Sequence, residues 1–321
     1  MRNMYRRVGI LAALVLATVV LLVVPSASAH TQLSTTAWTV VSPAPVAVAG
    51  PATVGCQGAD YMAGGSIKYV GYQNEFAKYD PTTDQWTTLA SLPDITGGAG
   101  AACAGNKVYV IGGTDSVGYS VNLTRIYDIA NNTWSYGAPM PGPLQALSIG
   151  TYRGQIYVWG GLGTLGNQTE LWAYNIATNT WTTNLAPVPM AVSSSGYGVI
   201  GGHLINAGSL GNPFPQFQVY SYSIAANTWQ SRALLLTAVY GPGSAVANAK
   251  LWLFGGVTGS GVPSNETQIY NPLKDSWSYG PTLNVGRAGI GGARVGNYLI
   301  AIGGFDQSRY GTTDTEVLLV K

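Results

Sequence analysis

The stretches VYVIGG (Val108–Gly113), IYVWGG (Ile156–Gly161) and LWLFGG (Leu251–Gly256) decide how this 321-residue chain folds. Each is a β-branched and aromatic run ended by a glycine pair, too short for a helix and bounded by Gly and Asn turn signals. Each therefore reads as a buried strand. Working outward, the same glycine pair stands at Gly64-Gly65, Gly112-Gly113, Gly160-Gly161, Gly255-Gly256 and Gly303-Gly304. The gap between the third and fourth of these is filled by the weaker Ala207-Gly208. Tryptophans recur at Trp38, Trp86, Trp134, Trp181, Trp229 and Trp277, in steps of 47 or 48 residues. Tyr79, Tyr127, Tyr174, Tyr222 and Tyr270 each stand seven residues before one of them. A fixed period of this length marks a stacked repeat.

An apolar strand ending in Gly-Gly, followed by a Tyr and a Trp with six residues between them, resembles the kelch repeat. The match covers about residues 36–321. The resemblance implies an all-β fold, a six-bladed kelch-type β-propeller. The physics agrees, because a four-stranded blade cannot bury both faces alone and ring closure leaves only short edges. One repeat reads as strands near 98–104, 107–113, 123–128 and 133–137. The sixth copy supplies 289–295, 298–304 and 315–320, and the chain stops before a fourth. The segment TAWTVVSP around Trp38 is expected to become that outer strand and close the ring.

The first 29 residues read as a signal peptide. Arg2, Arg6 and Arg7 precede an uncharged apolar run from Val8 to Val24, and Ala27-Ser28-Ala29 is an A-x-A cleavage site. The expected mature chain, residues 30–321, is one secreted or extracytoplasmic propeller, monomeric and not inserted in a membrane. Without the signal's three arginines, 12 basic residues face 13 acidic ones, a net of −1. With 9% charged residues and no basic cluster, no footprint for nucleic acid exists.

Cys56 and Cys103 occupy equivalent positions in adjacent copies, which predicts a disulfide in an oxidising compartment. His30 and His203 are the two histidines, too few for the copper site of galactose oxidase, which some kelch proteins resemble. His203 reads as a turn residue, and no metal or other cofactor is expected. Asp60, Asp80, Asp84, Asp128 and Asp275 read as strand or turn positions of the repeat. No nucleophile triad, phosphate loop or zinc-spaced cluster is present.

The repeated frame leaves its loops free to carry function. In an up-and-down blade, the loops after the second and fourth strands emerge on one face. That face is expected to collect Tyr69, Tyr72, Asn74, Asp115, Tyr119, Phe214, Phe217, Phe305, Asp306, Arg309 and Tyr310, joined by Arg287. Aromatic plates among amides and a few charges suit a carbohydrate or a protein ligand. The expected function is therefore a binding or interaction module. One alternative is a sugar-active enzyme resembling the kelch-type sialate mutarotase, in which Arg287, Arg309 and Asp306 would move a proton. Another is a structural component of the envelope.

Overall fold

A computed structural model describes residues 33–67, 70–211, 214–308 and 310–321. Among them the glycine-terminated runs are the second strands of six four-stranded antiparallel sheets. Blade 2 is typical: Gly100–Ala104 innermost, then Lys107–Ile111, Thr124–Asp128 and Thr133–Tyr136 outermost. The innermost strands of the six blades neighbour one another around a full cycle, the sixth returning to the first. In blade 6, Gly291–Val295, Tyr298–Ile302 and Thr315–Leu319 are followed at the outer edge by Thr39–Val40 from the other end of the chain. There Thr39 stands opposite Val317 and Val40 opposite Glu316.

The Tyr and Trp of the repeat do more than fill the wedge between blades. In blade 2, the Tyr127 hydroxyl donates to Asn132 Oδ1 at 2.7 Å, and the same oxygen accepts the backbone N–H of Ala90 from blade 1 at 2.9 Å. Trp134 Nε1 then donates to the carbonyl of Ala90 at 2.8 Å. Both polar groups of one residue in the preceding blade are thus satisfied by the following one. The arrangement recurs with Ser42, Ala138, Ala186 and Ala233. Asp84, Asn132, Asn179, Asn227 and Asp275, which carry it, all adopt positive φ between 45° and 55°, a conformation in which Asn and Asp are enriched. At the junction of blades 5 and 6 the anchor is Pro281, whose carbonyl accepts from Trp38 Nε1. Proline has no N–H to satisfy, and blade 6 carries Leu318 where the other blades carry the tyrosine.

The glycine pair is explained by close approach. Gly112 has φ +68°, and a Cβ there would lie 2.4 Å from the Leu144 carbonyl oxygen. In blade 4 the equivalent position falls one residue later than the sequence suggests. Gly208, at φ +65° and against the Val239 carbonyl, fills the first slot, and Ser209 fills the second. A register shift between Ala207 and Ser209 accommodates the side chain, and the buried Ser209 hydroxyl bonds Ser193.

The disulfide between Cys56 and Cys103 joins the ends of the innermost strands of blades 1 and 2, with Cα atoms 5.6 Å apart. It closes a loop of 47 residues, so the chain-entropy model assigns it about 4 kcal/mol. Reduction should lower the urea midpoint by an amount corresponding to about 2–4 kcal/mol. An unchanged midpoint in reductant would show that the crosslink is thermodynamically idle.

One core position breaks the pattern. Where the other blades bury Val108, Ile156, Leu204, Leu251 and Leu299, blade 1 carries Asp60, fully buried, with no hydrogen-bond partner for either carboxyl oxygen among the described residues. It is not a turn residue, unlike Asp80 and Asp128, whose carboxylates accept backbone N–H groups of their turns. Burial raises the Asp60 pKa well above the usual carboxylate value, and the Val54 backbone, without hydrogen-bonding geometry, offsets only part of this. A carboxyl pKa raised by folding contributes fully below the unfolded-state pKa, and that contribution is lost as pH rises toward the folded value. Asp60→Leu should therefore raise stability at pH 7 by about 1–3 kcal/mol and flatten its decline above about pH 4. Denaturant midpoints at pH 4 and pH 7 check this; a variant no more stable than wild type at pH 7 would contradict it.

Candidate functional site

The loops after the second and fourth strands do share one face. It is tied down by backbone hydrogen bonds absent from any sequence motif. Gly50, Gly98, Ala146, Ser194, Gly241 and Gly289, one per blade, form a closed belt around the central channel. Each N–H donates to the carbonyl of the preceding member at 2.6–3.0 Å. All six have positive φ, between 48° and 62°. The belt escapes a motif search because Ala146 and Ser194 take a conformation usually marked by glycine. The 47- or 48-residue spacing is the one signal that could have found it.

On this platform the aromatic side chains form three separate groups. Phe214 is 49% exposed and lies 5.2 Å, centroid to centroid, from Tyr240, with Phe217 nearby in the chain and 44% exposed. Tyr72 is half-buried, its ring against Gly97 and its hydroxyl beside Gly118, while Tyr119 stands out into solvent. Phe305 and Tyr310 stack at 5.5 Å with an interplanar angle of 13°. Asn74 is exposed. Asp115 and Asp306 shape their own loops: Asp115 Oδ1 accepts the N–H groups of Val117 and Tyr119, and Asp306 Oδ1 accepts the backbone N–H and the hydroxyl of Ser308. Tyr69 and Arg309 lie outside the described residues.

Arg287 corrects an expectation. It is fully buried beneath the rim, and its guanidinium bonds Glu316 at 2.8 Å and the carbonyls of Gly303 and Asp314. Glu316 in turn accepts the backbone and side-chain N–H groups of Asn284. Blade 2 uses the same slot in reverse, with Arg125 on the third strand and Asp94 on the preceding loop. Blade 5 uses a neutral version, Gln268 on Leu236 and Thr237. These side chains pin loops to blades, and Arg287 is unavailable either to a ligand on the rim or to proton transfer.

The four Asn-X-Thr glycosylation sequons, at Asn122, Asn131, Asn167 and Asn265, divide similarly. Asn122, Asn167 and Asn265 donate their side-chain N–H groups to the carbonyls of Met140, Leu210 and Leu283. Asn131 sits exposed on a turn.

The channel below the belt encloses about 290 Å³, lined by the innermost strands of all six blades. Its wall is mostly small residues, with Tyr197 and Arg294 the largest polar groups. Burial pushes the Tyr197 phenol up to about 12, so it is neutral at physiological pH.

The chain matches the family model of the Attractin/LZTR1 β-propeller over residues 25–262. A search of curated proteins finds no match. Six kelch-pattern blades around one channel, together with a match over most of its length, place the chain in the Attractin/LZTR1 family of kelch-type β-propellers.

Proposed function

We propose that this propeller is an extracytoplasmic interaction module that grips a protein partner on the face bearing the loops after the second and fourth strands. One observation carries the reading. Of the 16 large hydrophobic side chains exposed among the described residues, all but Val40, Tyr136, Leu273 and Tyr279 lie in or at the edge of these loops. Single exposed apolar groups are ordinary, but their concentration on one face is the signature of an interaction surface. The densest part is Phe214, Phe217, Leu234 and Leu236, with Tyr240 in ring contact. Aromatic side chains of this kind anchor protein interfaces. The disulfide and the signal-like N-terminal segment support a location outside the cytoplasm.

A carbohydrate is the second reading, favoured by the parallel Phe305–Tyr310 stack. Cross-linking capture from the extracytoplasmic fraction, comparing wild type with Phe214→Ser/Phe217→Ser, tests the first. The variant should lose a partner that the wild type retains. Identical captures, with glycan-array binding abolished by Tyr310→Ser, would move the assignment to the second.

A further inference from the structure

The face opposite the loops, formed by the hairpin turns, holds a cleft of about 300 Å³ between blades 3 and 4. Its wall includes Tyr152, Arg153, Gln155, Tyr157, His203 and Ser223. The cleft follows from the local sequence. The turn Gly201-Gly202 has no side chains, and a Cβ on Gly202 would lie 3.0 Å from the Tyr152 hydroxyl. The tyrosine hydroxyl thus approaches the bare turn closely. A second cavity of about 250 Å³, between blades 4 and 5, also has His203 in its wall and is bordered by Arg232.

The cleft mixes apolar and polar walls: Ile224 and Ala225 stand beside two tyrosines, a glutamine and the imidazole, and Ser223 Oγ accepts the N–H of Ala226. Tyr157 is more than nine-tenths buried and lines the cleft. Burial first, then the proximity of Tyr152, raises its pKa, so the phenol stays protonated and can donate. Tyr152 carries the Arg153 guanidinium over its ring at 5.3 Å. Arg153 gives the cleft a cationic border, and Arg232, on the second cavity, donates to Gln230 Oε1 at 3.0 Å; no carboxylate lines either cavity. Asp275, whose pKa the Arg232 charge helps to lower, accepts from Tyr270 and the Ala233 backbone.

We propose that this cleft binds a carboxylate-bearing sugar unit. The volume suits a small ligand. Two phenols, a carboxamide and an imidazole supply the mixed donors and acceptors that ring hydroxyls require, and the Arg153 guanidinium at the border fits a carboxylate. The site lies on the face away from the rim and uses none of the rim's residues, so it stands or falls independently of the protein-binding reading.

Calorimetric titration with trigalacturonate, its methyl ester and a triglutamate peptide tests the proposal. His203 is the one histidine among the described residues, so its imidazole resonances report occupancy directly. Trigalacturonate should bind and shift those resonances, more weakly at high salt, while the ester and the peptide bind much less. Tyr157→Phe should weaken binding about 5–10-fold with an unchanged melting curve. Arg153→Gln, on an exposed turn, should weaken it without perturbing the fold and stands in if the tyrosine variant misfolds. Equal binding of acid and ester, preference for the peptide, unmoved His203 signals, or wild-type affinity in a folded Tyr157→Phe would each overturn it.

Discussion

Replacing Arg287 by Met should destabilise the propeller by about 3–5 kcal/mol, because it leaves Glu316 charged and buried without its partner. The side chains of the pair are 0% and 2% exposed, so water cannot take over the lost contacts. The carbonyls of Gly303 and Asp314 lose a donor at the same time. The double variant Arg287→Met/Glu316→Met should recover part of the loss, since removing both charges removes the desolvation cost that breaking one exposes. Denaturant midpoints of the wild type, both single variants and the double variant measure the coupling. If Arg287→Met unfolds at the wild-type midpoint, the clamp is not what holds this loop.

Deleting residues 36–45 should weaken the whole ring, with thermal unfolding shifted downward as one transition. Trp38 is 3% exposed, packs on Phe254 at 4.9 Å and donates to Pro281 of blade 5. Two residues on, the strand pairs with blade 6. Then Ser42 gives its N–H to Asp84 and its carbonyl to Trp86 of blade 1. A single segment thus touches three consecutive blades. Trp38→Ala, a milder test, should cost about 3–5 kcal/mol through the cavity alone. A truncated chain that melts like the full one would refute the seam.

The six-fold repeat, the disulfide partners and the kelch pattern were legible because each is enforced at a fixed spacing. The polar half of the Tyr–Trp staple was not, since the carbonyl and N–H it satisfies belong to residues about 44 positions upstream whose identities are free. The same blindness hid the backbone belt, and it misplaced the pair in blade 4, where Gly208 and Ser209 rather than Ala207 and Gly208 fill the slots. Asp60 was legible as a strand or turn position of the repeat, and it does lie in a strand. Only alignment with Val108 and its counterparts, and then burial, shows it as a carboxyl in an apolar slot.

Among candidate site residues the separation is sharper. Phe214, Tyr119 and Tyr310 are exposed on the loop face, as their positions in the repeat suggest. Arg287 occupies an equally loop-like position and is buried, because its fate depends on a carboxylate 29 residues away. The cleft at Tyr157 has no sequence signature, since its donors come from two blades; of its residues, His203 alone stands out in the sequence, as a turn position.

By itself the sequence determined the architecture. Period, glycine pairs and tryptophans are properties of one repeat, and local backbone geometry and burial repeat with it. Tertiary structure alone decided which polar groups were consumed by the scaffold and which were left over. That allocation depends on hydrogen bonds between blades, where a donor finds its acceptor across a spacing no local pattern records.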